Sequence, residues 1–133
     1  MILVPDTNVW IKVMNPTTSP AKDRLRAADP AVIRLCSVAK AELYYGAFRS
    51  SRKKSNLALL EGLFQHYESL PFDDAAATVY GSLRARLAAR GALIGPNDLL
   101  IAAIALTHGA TLITHNAREF GRVPDLQMQD WED

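Results

Sequence analysis

The chain has a single cysteine, Cys36, among 133 residues. An intrachain disulfide is therefore excluded, and so is a thiolate metal site. Cys36 ends the run Val32-Ile33-Arg34-Leu35-Cys36 and reads as a small buried apolar side chain. No histidine-rich motif accompanies it, which argues against a nucleophilic role. The three histidines, His66, His108 and His115, show no ligand spacing, so zinc is disfavoured. No segment approaches the roughly 18 apolar residues of a membrane span. The opening Met1-Ile2-Leu3-Val4-Pro5-Asp6 has no basic segment, and its apolar stretch is too short for a signal peptide. A reducing cytoplasm is the expected location. A Gly-x-x-x-x-Gly-Lys-Ser/Thr phosphate loop is missing, and Asp6 is followed by Thr7-Asn8-Val9 rather than by an Asp-x-Asp-x-Thr nucleophile motif. Net charge is only +1, so bulk charge makes no case for nucleic acid. A polyanion would have to be held by local basic patches or by a metal.

What is present is apolar: 49% of the residues are hydrophobic, enough to fill one core without staples. The length suits one domain, residues 1–133. Ile2-Leu3-Val4 reads as a short buried strand ended by Asp6, with Thr7-Asn8 as capping residues for a helix through Met14. Ser19-Pro20 opens a second helix, through Leu25. Ala31 to Cys36 is a second strand, and Ser37 caps a helix through Phe48. Ser50 to His66 is amphipathic, Glu68 to Phe72 is a third short strand, and Asp73 caps a long helix that stops at Gly91. Asn97 to His108 is a nearly all-apolar helix, Thr111 to Thr114 another strand, and Leu126 to Met128 an edge strand. Continuous apolar strands alternating with helices predict an α/β domain with a parallel sheet covered on both faces.

Three acids stand apart in this pattern. Asp98 lies in Ile94-Gly95-Pro96-Asn97-Asp98-Leu99-Leu100-Ile101, at the mouth of an apolar helix, and Asp6 and Glu42 keep similar company. A carboxylate beside so much apolar surface is costly unless something pairs with it. Ligands of an open parallel sheet gather beyond the carboxyl ends of its strands. Asp6, Glu42, Asp98, Asn116 and Glu119 can all converge there. Clustered carboxylates resist ionising together, and a divalent cation removes the repulsion. Carboxylate and amide oxygens suit Mg2+ or Mn2+. Taken singly, Asp6 and Asp98 read equally as helix caps or dipole partners, and Asn116 as a loop residue.

The same residues resemble a known family. Asp6-Thr7-Asn8-Val9-Trp10-Ile11, Ser37-Val38-Ala39-Lys40-Ala41-Glu42-Leu43-Tyr44-Tyr45-Gly46-Ala47, Ile94 to Ala103, and Ala110-Thr111-Leu112-Ile113-Thr114-His115-Asn116-Ala117-Arg118-Glu119-Phe120 stand in the order and spacing of PIN domains. The chain is similar in particular to the VapC toxins of bacterial toxin–antitoxin pairs. The resemblance implies a three-layer α/β/α sandwich with a central, mostly parallel sheet of four to five short strands. It also implies a Mg2+- or Mn2+-dependent endoribonuclease whose acids fall on Asp6, Glu42 and Asp98. The family's fourth position falls on Asn116, with Glu119 the nearby acid that would supply the metal-binding charge. A homodimer and neutralisation by a small VapB-type antitoxin are implied as well. Thr7, Asn8 and Thr114 would orient the acids, a water or the substrate. The basic groups Arg49, Arg52, Lys53, Lys54 and Arg84, Arg86, Arg90 are candidates for RNA phosphates or antitoxin acids. The competing readings are a non-catalytic RNA- or protein-binding module of the same fold and a metal-dependent phosphohydrolase acting on DNA.

Overall fold

The computed structural model describes residues 1–132. Asp133, the last residue of the expected domain, lies outside the described residues. Five short strands and seven α-helices follow one another. In chain order they are β1 (Leu3–Pro5), α1 (Thr7–Met14), α2 (Pro20–Ala27), β2 (Arg34–Cys36), α3 (Ser37–Phe48), α4 (Lys53–Phe64), β3 (Glu68–Leu70), α5 (Asp74–Ala89), α6 (Pro96–Thr107), β4 (Thr111–Ile113), α7 (Ala117–Phe120) and β5 (Gln127–Gln129).

Every strand pairing is parallel. β4 lies between β1 and β5, with Val4 opposite Leu112 and Leu112 opposite Met128. β2 pairs with β3, with Leu35 opposite Ser69. A single parallel bridge, Leu3 to Ile33, joins the two groups, giving the order β3-β2-β1-β4-β5. The inner strands β1 and β4 are buried along their whole length, whereas β3 and β5 are largely exposed at the edges. Strands buried on both faces need helices on both faces, which is why they read as continuous apolar runs.

The most heavily buried helix is α6, where Leu99, Ile101, Ala102, Ala103, Ile104 and Ala105 are all inside. Burying each Leu or Ile contributes roughly 1.5–3 kcal/mol, so this helix is a principal anchor of the core. Gly95 caps it through backbone alone, and Pro96 occupies its first position, where a missing N–H costs nothing. Gly109, at φ 59°, closes its far end.

Local details differ from the sequence reading. Pro30–Val32 forms a 3-10 turn, so β2 starts at Arg34 rather than Ala31. Pro30 pre-sets φ for that turn, and the Ala31 N–H donates to Asp29 Oδ1 at 2.9 Å. Thr7 and Asn8 do not cap α1; Asp6 does, in keeping with its cap reading, its Oδ1 accepting from Val9 N–H at 3.0 Å. Cys36, not Ser37, is the N-cap residue of α3. The α7 turn, which reads as loop in the sequence, is capped by Asn116.

Candidate active site

The carboxyl ends of the inner strands set the site. β1 delivers Asp6, β4 delivers Thr114, and β2 leads directly into α3, which carries Glu42 in its second turn. Asp98 is the third residue of α6. Asp6, Glu42 and Asp98 all line one open groove of about 690 Å³, together with Thr7, Asn8, Tyr45, Arg49 and Asn97. Residues 92 positions apart in sequence therefore meet because the parallel topology brings strand ends and helix starts to one edge.

Each acid is held by neighbours. Asp6 is 4% exposed, and its two oxygens are shared between the Val9 N–H and the Thr114 hydroxyl, which donates to Oδ2 at 2.6 Å. The Asn116 N–H in turn donates to the Thr114 oxygen at 3.0 Å. Glu42 Oε1 accepts from the Thr7 hydroxyl at 2.6 Å, and Oε2 from the Asn97 amide at 3.4 Å. Glu119 Oε1 accepts from the Gly95 N–H, and Oε2 from the Asn116 amide at 2.9 Å. Asp98 approaches Glu119, and when protonated its carboxyl donates to the Glu119 carboxylate.

The electrostatics follow from this crowding. Burial raises the Asp6 carboxyl above its ordinary value, with the Glu42 charge adding to it and the Thr114, Val9 and Asn8 hydrogen bonds opposing. Asp98 is pushed up to about 7, first by burial, then by its hydrogen bond to Glu119 and by the charges of Glu119, Asp6 and Glu42. Glu119 moves the other way, held down chiefly by the Gly95 N–H. Cys36, beneath the groove, is fully buried, and its thiol is pushed up to about 11, which keeps it a neutral packing residue.

The sequence-nominated residues do not all share one wall. Thr7 and Asn8 line the groove beside Asp6. Asn116 lines a second hollow on the other side of Asp6, with Lys12, His115 and Glu132. Glu119 lies behind Asp98, with both oxygens engaged. Of the basic residues, Arg49 reaches the acid groove and Arg52 the neighbouring hollow. On α5, Arg84 donates instead to the Tyr80 hydroxyl at 2.9 Å.

Two residues were not singled out from the sequence. Asn97 steadies Glu42 across 55 residues. At Gly95 an added Cβ would lie 3.3 Å from Glu119 Oε1 and 3.7 Å from Asp98 Oδ2, so a bare backbone is needed for the approach. The Gly95-Pro96 step was the available signal, since it punctuates a helix start.

Among the described residues, no group of three His, Cys, Asp or Glu side chains forms a ready-made metal cage. Mg2+ commonly keeps several waters and binds through only one or two carboxylates, so a closed cage is not required of it. The donors facing the groove are oxygens; burial, with neighbouring carboxylate charge adding to it, raises the Asp6 and Asp98 carboxyls, and a hard cation would offset both costs. The donor set fits Mg2+ or Mn2+ on those grounds.

Comparison with known proteins places these features in a family. The family model described as PIN domain matches residues 3–126. Ribonuclease VapC2 of Rickettsia felis is 35% identical over 133 residues, covering 99% of this chain and 99% of its own. The tRNA(fMet)-specific endonuclease VapC of Shigella flexneri is 37% identical over 126 residues, or 95% of each chain. Among solved structures, VapBC2 from Rickettsia felis bound to a DNA fragment from their promoter superposes with a TM-score of 0.90 at 34% identity, over 98% of this chain and 99% of that one.

Proposed function

The chain belongs to the PIN domain family, and within it to the VapC proteins, and from that premise we propose that it is a Mg2+- or Mn2+-dependent endoribonuclease acting as the toxin of a toxin–antitoxin pair. The observation that carries the reading is the meeting of Asp6, Glu42 and Asp98 on one groove at the carboxyl edge of the sheet. Asp6, Glu42 and Asp98 would hold the ion, with Glu119 backing Asp98. When bound, such an ion neutralises phosphate charge and lowers the pKa of a water that attacks phosphorus.

The protein's own part is orientation. Thr114 and the Val9 N–H fix both oxygens of Asp6. Thr7 and Asn97 fix Glu42 from two sides. Asn116 and Gly95 fix Glu119, which in turn holds Asp98. Carboxylates locked in this way keep their spacing when a polyanionic substrate arrives, which is the preorganisation that catalysis needs.

As in the relatives, the substrate is RNA, and tRNA(fMet) is the first to test because the Shigella relative is named for it. A small VapB-type antitoxin is the expected inhibitor, by analogy with the VapBC complex from Rickettsia felis. We further propose a cytoplasmic homodimer. No helix of the described residues is long and apolar enough to cross a membrane, which is compatible with that location.

The deciding experiment incubates total RNA and purified tRNA with the protein in Mn2+, Mg2+ or EDTA and maps the new ends. Discrete cleavage that disappears with EDTA and with Asp98→Asn is expected. Cleavage that persists in EDTA, or full activity of Asp98→Asn, refutes the assignment.

A further inference from the structure

The groove has one cation and one aromatic ring among its lining residues, and they are neighbours. Glu42 and Tyr45 on α3, and Arg49 capping its C-terminus, stand at spacings of three and four and line the same groove. Tyr45 is 66% exposed. Its neighbour Tyr44 behaves oppositely, packing edge-on against Phe64 with ring centroids 5.3 Å apart. The Arg49 guanidinium lies over the Tyr45 ring at 5.2 Å from its centroid. The lining thus runs from the acids through an open π-face to a positive charge.

Resting on the endoribonuclease reading above, we infer that Tyr45 and Arg49 are the substrate-binding clamp of this groove, Tyr45 stacking on an unpaired RNA base beside the cleaved bond and Arg49 holding an adjacent phosphate. Three acids repel a polyanion, and the only cation lining the same groove is the group able to offset that at short range. A ring at the groove wall offers a sequence-tolerant platform for any base. A base can reach that platform only if it is unstacked from its neighbours, so the substrate class is single-stranded RNA or an exposed loop, not a duplex. The cation over the ring holds it in place and gives the stack a charged edge.

The test uses the full-length protein and an unstructured oligoribonucleotide containing the mapped cleavage site, with matched versions carrying one abasic position each. Tyr45→Ala should raise KM about ten-fold or more, as expected for loss of one base stack, while kcat changes less than about two-fold. Tyr45→Phe should stay near wild type, because stacking does not use the hydroxyl. One abasic position should erase the difference between wild type and Tyr45→Ala. Arg49→Ala should raise KM for every oligonucleotide and flatten its salt dependence. An unchanged KM in Tyr45→Ala, damage in Tyr45→Phe equal to that in Tyr45→Ala, or a penalty that no abasic position removes would each overturn the clamp. So would a change of oligomeric state in Tyr45→Ala, which would make the ring an interface residue. If the wild type cuts no RNA, the parent reading fails by itself. The clamp is then judged by anisotropy of the same labelled oligonucleotides, where equal affinity of wild type and Tyr45→Ala overturns it.

Discussion

Replacing Asp98 by Asn should stabilise the metal-free protein, by an amount that grows from about pH 4 to about pH 7. The folded state raises the Asp98 carboxyl from 3.8 to about 7. A raised carboxylate favours the protonated form, so the folded state binds an extra proton between those limits. Stability is therefore full below pH 4 and falls as pH rises toward 7, the reverse of a salt-bridged aspartate. At ~1.4 kcal/mol per pH unit, the interval corresponds to a ceiling of about 4 kcal/mol. Asp98 is only partly buried, and solvent screening reduces the ceiling to about 2 kcal/mol. One contribution opposes it: a negative charge in the first turn of α6 is worth about 0.3–1 kcal/mol through the helix dipole. The cost of burying the charge among other carboxylates wins, so at pH 8 in EDTA the Asn variant should be more stable by roughly 1–2 kcal/mol, or a few degrees in Tm. Below about pH 4, where the carboxyl is protonated in the folded and the unfolded chain alike, the two proteins should melt within about a degree of each other. Mn2+ or Mg2+ should raise the wild-type Tm at pH 8 and move the variant far less. Thermal denaturation followed by circular dichroism across pH 3.5–8, with and without metal, reads all three. An Asn variant that is less stable at pH 8, or a difference that does not change with pH, would make Asp98 a helix cap and refute the charge-crowding argument.

Other substitutions probe the same frame. Thr114→Val keeps shape but removes the hydroxyl that joins Asp6 to the Asn116 N–H; it should cost about 1–3 kcal/mol in chemical denaturation and weaken metal binding measured by calorimetry. Asn116→Ala and Glu119→Ala should both lower the RNA cleavage rate, because the first frees one oxygen of the carboxylate beside Asp98 and the second removes that carboxylate; unchanged rates in both would remove the fourth position from the site. Gly121→Ala should destabilise by about 1–3 kcal/mol, since a Cβ there would come within 2.5 Å of the Ala117 carbonyl oxygen, a backbone atom with little room to yield.

The architecture was legible because its inner strands are buried on both faces and so carry no polar interruptions to confuse them with amphipathic helices. Asp6, Glu42 and Asp98 were legible for a related reason: a charge placed against apolar surface contradicts its surroundings, and the contradiction shows in one dimension. What the sequence did not display were partnerships between distant residues. Asn97 looks like a helix-start residue until the fold sets it beside Glu42. Gly95 looks like punctuation until Glu119 comes up against its N–H. The edge elements also blurred, since Pro30 converts the expected start of β2 into a turn and four residues suffice for α7. Short elements carry too little periodicity to announce themselves.

The first strand of this chain occupies the middle of its sheet, and that sets a schedule. Asp6 is made well before its partner: the hydroxyl that orients it sits 108 residues later. At about 5–20 residues per second, roughly 5–20 s of translation separate the two. β1 has no β4 to pair with in that interval, and the acid groove has no Asp98 wall. On the proposed function, a growing chain could not cut RNA until Asp98 and Thr114 had both been made. An inhibitor already waiting in the cell would meet the enzyme at the moment it first becomes dangerous.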